Sequence, residues 1–210
     1  MHRFIESIKV EDQKVFLLEL HQKRVNETFA SFGKEGASID LKKIFNDLHV
    51  DEDGLFKLRI VYDMSRQFRT QMIPYAISEL DDFQLVENNN FDYSFKFEDR
   101  SGFERMKTRS RAEEIIIVKN NHITDTSFTN LLFRKGKEWY TPSTYLLNGV
   151  QRQNLLKTKQ IKEAEITLNN IKEYSHFQLI NSMNEFDDNF VYPLSAIINL
   201  PEDRDYLEIE

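Results

Sequence analysis

The sequence has 210 residues, a formal net charge of −7 and no cysteine. The lack of cysteine excludes disulfides, thiolate metal sites and cysteine nucleophiles, and the even spread of basic residues along an acidic chain argues against nucleic-acid binding. The first residues carry charge where a signal peptide needs an apolar core, and the apolar runs are only strand-length, so we expect a cytoplasmic protein without a membrane partner.

The first part of the chain predicts a lobe that mixes strands and helices. Its apolar residues first alternate, as in a strand, and then recur at helical spacing. Gly33 ends the helical pattern. The predicted elements are strands over 4–10 and 14–18, a helix from about Leu18 to Phe32, a second helix capped by Ser38, and paired strands over 56–62 and 67–73.

The composition changes at residues 78–90, which contain several acidic residues and three consecutive asparagines. Such a segment favours turns and solvent. We therefore predict two lobes, an α+β lobe over residues 1–88 and a β-rich lobe over residues 89–210. The predicted elements of the second lobe are a strand around Lys96, a helix from about Arg100 to Arg111, hairpins that begin near Glu114 and Thr129, a short helix after Gly149, and strands near 163–166 and 176–180.

Lys96 lies in a run where aromatic residues alternate with polar ones, so strand geometry places the lysine opposite the aromatic side. That pattern alone is typical of a solvated lysine. The alternative is an amine that forms a Schiff base with a carbonyl cofactor such as pyridoxal phosphate. Such a cofactor also needs a carboxylate beside its ring nitrogen and a site for its phosphate.

The sequence contains a candidate for each of these requirements. Asp125 lies among hydroxyl residues, where its carboxylate can be fixed by short hydrogen bonds or can form a simple Asx turn. Gly149 precedes a helix N-terminus at Val150 and Gln151, which suits a phosphate ester or is a plain cap. Arg24 offers a guanidinium for the same anion, or is an exposed helical residue. The five histidines lack metal-ligand spacing, so no metal site is predicted.

In their order along the chain, these pieces resemble the class IV aminotransferase family. Residues 4–10 resemble the family's opening Phe-Glu-Thr-Ile-Arg strand, and residues 21–25 resemble its His-x-x-Arg-Leu helix. Residues 96–100 are similar to its Lys-x-x-Asn-Arg segment. The remaining matches are residues 123–130 with Val-Thr-Glu-Gly-Ser-x-x-Asn, residues 147–152 with the phosphate turn Leu-x-Gly-Val-Thr-Arg, and residues 179–182 with the last cofactor-facing strand end.

The resemblance implies an α+β, two-lobed fold-type IV architecture like that of D-amino acid aminotransferase, with pyridoxal 5′-phosphate as cofactor. By this match Lys96 forms the Schiff base and acts as the catalytic base, and Asp125 pairs with the pyridinium nitrogen. The other cofactor-binding residues that the resemblance implies are Arg24, Gly149, Val150, Gln151 and Ser182.

The resemblance further implies an enzyme that acts on a small amino substrate and forms a homodimer. The compact chain and its short lysine segment are more similar to 4-amino-4-deoxychorismate lyase than to branched-chain or D-amino acid aminotransferases, which stay the alternative. Asp99, Asp125 and Gln151 depart from the family's residues. A cofactor-binding homologue with little catalytic activity is therefore a further alternative, and a cofactor-free interaction domain is another.

Overall fold

The computed structural model describes residues 2–48, 53–77, 79–184, 186, 190–201 and 207–208. Backbone packing divides the chain into unit 1, residues 1–77 with 95–99, and unit 2, residues 78–94 with 100–210. The predicted lobes, 1–88 and 89–210, stay a prediction. This grouping differs from them in one functional respect, because it assigns Lys96 to the first unit.

Unit 1 is an antiparallel sheet with two helices on one face. Its elements are β1 (Arg3–Glu11), β2 (Lys14–Val15), α1 (Leu18–Ser31), α2 (Leu41–Asn46), β3 (Leu55–Asp63) and β4 (Phe68–Pro74). Within the described residues the strand order is β2-β1-β3-β4. Alternation along β1 directs Phe4 and Ile8 to the side where Val25 and Phe29 of α1 pack, and all four side chains are buried. Each such side chain stabilises the unit by about 1.5–3 kcal/mol.

The cap of α2 differs from the expectation. Asp40, not Ser38, is the N-cap, and its Oδ1 accepts a hydrogen bond of 2.9 Å from the backbone N–H of Lys43. The Ser38 hydroxyl instead donates to Asn26 Oδ1 at 2.6 Å. Both residue types suit a cap, and position decides between them, because only Asp40 directly precedes the first helical residue.

The segment around Lys96 is not the regular strand that its alternation predicts. Phe97 forms a single antiparallel bridge with Phe4, and the Phe97 N–H donates to the Phe95 carbonyl at 2.8 Å. That bond closes a three-residue turn with Lys96 at its centre. Alternation fails here because the aromatic residues serve different cores: Phe95 and Phe97 pack with Phe4 in unit 1, whereas Phe91 and Tyr93 pack against Phe103 in unit 2.

Unit 2 is dominated by β-structure. Its elements are β5 (Phe83–Glu87), α3 (Ser101–Arg109), β6 (Glu114–Lys119), β7 (His122–Thr126), β8 (Asn130–Lys135), β9 (Glu138–Pro142), α4 (Val150–Lys157), β10 (Lys162–Ala164), β11 (His176–Ile180), β12 (Val191–Pro193) and β13 (Leu207–Glu208). Over the described residues these strands form one nine-stranded sheet in the order β10-β9-β8-β7-β6-β5-β13, with β11 pairing with β8 and β12.

β5 corrects the expectation that residues 78–90 form exposed turns. Phe83, Leu85 and Val86 are completely buried, and β5 pairs in parallel with β6. The polar residues that dominate the composition flank this strand, and some tie its ends down: the backbone N–H of Glu113 donates to Asp82 Oδ1 at 2.8 Å. A five-residue buried strand is short enough for its acidic and asparagine neighbours to mask it.

The core of unit 2 lies between its strands and the segments that cross them. Phe83, Phe133 and Phe177 are fully buried in one cluster, with edge-to-face contact between the rings of Phe83 and Phe177 at 4.9 Å. This packing fixes β8 and β11 side by side, which matters because β8 begins at Asn130. Across the described ranges, every helix is too short or too polar to cross a bilayer.

Candidate active site

Lys96 is held beside the open edge of β1 by main-chain hydrogen bonds. Its carbonyl accepts from the N–H of Ile5 at 2.9 Å, and two residues later the N–H of Glu98 donates to the carbonyl of Arg3 at 2.8 Å. The lysine is half-buried and not simply solvated. Its ammonium group is close enough to the buried ring of His21 to lower the pKa of that histidine, after the larger effect of burial.

A buried carboxylate, Glu6, organises the polar residues of unit 1. It is fully inaccessible to solvent and lies on the face of β1 that α1 covers. The guanidinium of Arg24 donates to it twice, from Nε to Oε1 at 2.9 Å and from Nη2 to Oε2 at 2.5 Å. Nδ1 of His21 lies 2.5 Å from the same Oε2. This two-point contact fixes the plane of the Arg24 guanidinium.

Charge is balanced within this cluster. Burial alone would raise the pKa of Glu6, but the positive charge of Arg24 and the hydrogen bond from His21 lower it to about 2. Burial lowers the pKa of His21, so its ring is neutral near pH 7. Its proton then lies on Nδ1, because a carboxylate only accepts. Nε2 is buried, and no described atom forms a hydrogen bond with it.

Asp125 is a buried carboxylate of unit 2. It lies in β7, and its Oδ2 accepts from the N–H groups of Leu146 and Leu147, each at 2.9 Å. Its Oδ1 accepts from the side-chain amide of Asn130 at 2.7 Å. These three donors are neutral, and they use three of about four acceptor positions on the carboxylate. One position on Oδ1 is left for a further donor.

The electrostatic state of Asp125 is opposite to that of Glu6. Burial raises its pKa from an ordinary value of 3.8 to about 6, against the opposing effects of its hydrogen bonds and of Arg152. A raised pKa means that the folded protein disfavours this negative charge. A cationic donor placed at Oδ1 would relieve the cost, and a pyridinium N–H is a donor of that kind.

Asn130 and Gly149 join Asp125 to the start of α4. Besides its bond to Asp125, the Asn130 amide donates to the carbonyl of Leu147 at 2.9 Å. Gly149 lies so close that a Cβ at this position would be 2.0 Å from Asn130 Oδ1. Any larger residue at this position would therefore displace the Asn130 side chain. The Asp125 motif and the glycine turn, predicted separately, belong to one cluster.

α4 begins at Val150, directly after this turn. Gly149 is its N-cap and provides no side-chain hydrogen bond, and Val150 and Gln151 are buried. Arg152 braces the turn from inside by donating to Asn148 Oδ1 and to the carbonyl of Pro142, each at 3.1 Å. The backbone N–H groups of the first helical turn suit an anionic group.

Ser182 lies two residues beyond the end of β11. The last residue of that strand, Ile180, pairs with Asn130. Ser182 is half-buried in the turn where Asn181 Oδ1 accepts from the N–H of Met183 at 2.8 Å. Its assignment to the cofactor phosphate stays a prediction.

The predicted site residues thus form two groups. Arg24 and Lys96 lie in unit 1, and Asp125, Gly149, Val150, Gln151 and Ser182 lie in unit 2. Four further residues of these clusters, Glu6, His21, Asn130 and Arg152, had no role predicted from the sequence. Each lies inside one of the segments that resemble the family. Glu6 carries a further signal, because strand alternation places it on the same face as the apolar Phe4 and Ile8.

Comparison with known proteins identifies the family. The sequence model of class IV amino-transferases matches residues 3–186, and the chain belongs to this family. An uncharacterised protein of Haemophilus influenzae Rd is 32% identical over 188 residues, which cover 88% of this chain and 99% of the relative. The predicted family and the predicted fold class are both confirmed.

Two solved structures illustrate the similarity in fold. A candidate 4-amino-4-deoxychorismate lyase of Haemophilus somnus 129PT is 31% identical, with a TM-score of 0.81 over 89% of this chain and 98% of that one. A hypothetical aminotransferase of Mycobacterium tuberculosis, in a form with pyridoxal phosphate bound, has a TM-score of 0.72 over 94% of this chain and 82% of that one. Its identity is 13%, so it supports the fold alone.

Proposed function

We propose that this chain is a cytoplasmic, pyridoxal 5′-phosphate-dependent enzyme that acts on a small amino substrate. The observation that carries the proposal is Asp125, a buried carboxylate with three neutral donors, one acceptor position left and a pKa raised to about 6. The chemistry of that position suits a protonated ring nitrogen. The glycine turn that leads into α4 provides an anion site in the same cluster.

The chain's own residues divide the work. Asp125 would hold the ring nitrogen, while Gly149, Val150, Gln151, Ser182 and Arg24 would hold the phosphate. Lys96 Nζ would attach the cofactor covalently and then move the proton of the substrate α-carbon as a general base. Glu6 positions Arg24 through its two hydrogen bonds. When bound, pyridoxal phosphate supplies an electron sink for the reacting carbon.

Labelling tests cofactor binding directly. The purified protein is incubated with pyridoxal 5′-phosphate, reduced with borohydride and digested, and mass spectrometry locates the added pyridoxyl group. We expect it on Lys96 in the parent and in Lys137→Ala, an exposed lysine in the turn between β8 and β9. Lys96→Ala should lack the specific label. A label distributed over surface lysines, or none, would refute the proposal.

Of the two candidate activities, lyase and aminotransferase, we propose that the protein is a lyase. The similarity to the Haemophilus somnus protein covers nearly the whole of both chains, and the short lysine segment agrees with it. Incubation with aminodeoxychorismate should release pyruvate and 4-aminobenzoate. Conversion of the bound cofactor by D- or L-amino donors, without such release, would establish the alternative, a branched-chain or D-amino acid aminotransferase.

We also propose a homodimer, which the resemblance to the family implies. Light scattering coupled to size-exclusion chromatography should give twice the 25.1 kDa chain mass. A monomer that carries full activity would contradict this assembly.

A further inference from the structure

The face of the unit 1 sheet opposite α1 is rich in positive charge. Alternation and register place Arg3, Asp63, Ser7, Arg59, Val61 and Arg69 on this face, because Arg3 pairs with Asp63, Ser7 with Arg59, and Val61 with Arg69. We call it the basic face. Its strands carry the basic side chains Arg3, Lys9, Lys57, Arg59 and Arg69 and the acidic side chains Glu11 and Asp63. This excess of positive charge contrasts with the net charge of −7 of the whole chain.

Three of these arginines converge on one carboxylate, Glu98. Its Oε1 accepts from Nη2 of Arg59 at 3.1 Å and from Nη2 of Arg69 at 2.5 Å. Its Oε2 lies 3.6 Å from Nη1 of Arg3. Three guanidinium groups around a single carboxylate leave positive charge uncompensated, even though Asp63 lies near Arg3. Planar guanidinium groups bind carboxylates in a directed way.

The cluster borders a depression at the end of the β3–β4 hairpin. Arg3 and Arg69 line this depression, whose volume is about 190 Å³, together with Val61, Gln67 and the half-exposed ring of Phe68. The side chains of Arg3 and Arg69 are more than half exposed, so a ligand can reach them. Arg59, which is mostly buried, fixes Glu98 from beneath.

The main chain ties this cluster to Lys96. Glu98 follows Lys96 by two residues, and both are held to the edge of β1 by the backbone bonds to Arg3 and Ile5. Two residues of chain span at most roughly 7 Å, even when fully extended. The arginine cluster is therefore within the length of a small molecule from the candidate reactive amine.

We propose that Arg3, Arg59 and Arg69 form a binding site for a carboxylate of the amino substrate. The separation from Lys96 requires that this carboxylate be remote from the amine that reacts. The substrate class is then an amino compound with a distal carboxylate, and not an amino acid with an aliphatic side chain. The inference rests on the proposed function for the identity of the reacting amine, but anion binding by the arginines can be measured without it.

The test is calorimetric titration of the full-length protein with benzene-1,3-dicarboxylate, with neutral benzamide as the matched non-anionic probe. The double variant Arg59→Gln/Arg69→Gln should bind the dicarboxylate about five- to tenfold more weakly, the scale of two partly solvated charge-assisted hydrogen bonds. Arg105→Gln/Arg109→Gln, which removes the same charge from the exposed side of α3, should bind like the parent. Equal losses in the two double variants, or none in the first, would overturn the proposal.

A second variant should change the affinity for the dicarboxylate in the opposite direction. Glu98→Gln removes the internal carboxylate that competes for the guanidinium groups, so the dicarboxylate should bind several-fold more tightly than to the parent. A weaker complex would show that Glu98 is needed for the site and that the arginines do not await an external anion. A thermal melt of each variant identifies any that are unfolded, and Arg69→Gln, at an exposed position, then provides the folded replacement.

Separate readouts distinguish this proposal from the proposed function. Titration of protein with the cofactor reduced onto Lys96 should give the parent's affinity, because the arginine cluster is separate from the cofactor's phosphate ligands. Loss of dicarboxylate binding on loading would place the probe in the cofactor site and overturn the inference. Failure of borohydride labelling would instead refute the proposed function, while titration of the unloaded protein would still report on the arginines.

Discussion

Glu6 of unit 1 and Asp125 of unit 2 are both buried carboxylates, and they are compensated in opposite ways. Glu6 of unit 1 is paired with the guanidinium of Arg24 and with His21, and its pKa falls to about 2. Asp125 of unit 2 is held by the amide groups of Leu146, Leu147 and Asn130, and its pKa rises to about 6. Glu6 therefore has a counter-charge in direct contact, whereas Asp125 has only neutral donors and the weaker effect of Arg152.

This difference separates a carboxylate that positions a neighbouring residue from one that can itself receive a ligand. A buried carboxylate paired with a guanidinium stays ionised without a ligand, and here Glu6 positions Arg24. A buried carboxylate with only neutral donors keeps a cost that a cationic ligand can remove. Perturbed pKa values of this second kind are typical of functional sites.

The largest expected effect is that of removing Lys96, which should abolish activity without disturbing Glu6 or Asp125. Lys96→Ala should abolish cofactor attachment and reduce turnover below detection, because no other group in the proposal supplies the amine. The Glu6–Arg24 pair does not depend on this lysine, so the free energy of unfolding should change by no more than about 1 kcal/mol. Urea denaturation and the borohydride label measure the two quantities. A variant that unfolds at much lower urea would instead show a structural lysine.

The next effect compares the two carboxylates in protein without cofactor. Glu6→Gln leaves the buried guanidinium of Arg24 without its counter-ion, and breaking such a pair costs about 3–5 kcal/mol. Asp125→Asn removes a charge that the fold disfavours, so its cost at pH 7 should be about 1 kcal/mol or less. Urea denaturation of both variants gives the difference. Equal destabilisation would show that the two sites are compensated alike.

The third expected effect is a pH dependence that belongs to Asp125. Its pKa is raised in the folded state, so the folded protein binds a proton more tightly than the unfolded chain between about pH 4 and pH 6. Stability from this group is fully present below pH 4 and is lost as the pH rises to 6, by about 3 kcal/mol in all. The measurement is the difference in unfolding free energy between the parent and Asp125→Asn.

The difference in unfolding free energy between the parent and Asp125→Asn reports on Asp125 alone, because the other titrating groups are present in both proteins. His21 titrates with the opposite sign, because its folded pKa is lowered, and it is common to both proteins. Glu6, with its pKa lowered to about 2, loses its contribution only in more acidic solution. Saturating pyridoxal phosphate should remove the parent's loss between pH 4 and pH 6, since the ring nitrogen then supplies the missing positive charge. A difference that does not vary with pH would contradict the raised pKa.

Local pattern was enough to predict much of unit 1 and the hairpins of unit 2. The strand at the N-terminus, α1 and the turn before α4 follow from alternation, helical spacing and glycine. The spacing of Asp125 and Asn130 also pointed to the family, because this tight hairpin lies within one short motif. The pattern could not show that Asn130 also packs against Gly149, because this contact joins segments that are distant in the sequence.

The errors have the same origin. The turn at Lys96 is imposed by bonds to Ile5 and by the bridge to Phe4, neither of which is visible in the run of alternating aromatics. β5 is a strand because β6 and β13 flank it in parallel, and its own composition is outweighed by polar neighbours. Glu6 was open to prediction, because a glutamate on the apolar face of a strand must find a partner or cost several kcal/mol.

The smallest expected effect is that of Gly149→Ala. It tests whether the hydrogen bonds to Asp125 depend on the turn before α4. In Gly149→Ala the new Cβ would lie 2.0 Å from Asn130 Oδ1, so the Asn130 side chain must move and its bonds to Asp125 and Leu147 must weaken. We expect a loss of about 1–3 kcal/mol in unfolding free energy, the usual range for overpacking. Gly136→Ala is a comparison for backbone strain alone, since a Cβ there meets nothing within 4 Å but lies at a positive φ, which Gly149 does not have. Asn130→Ala removes the obstructing amide, so adding Gly149→Ala to that variant should cost much less than adding it to the parent. Additive losses in the double variant would mean that Asn130 does not link Asp125 to the glycine turn, and the two halves of the proposed cofactor site in unit 2 would then be independent.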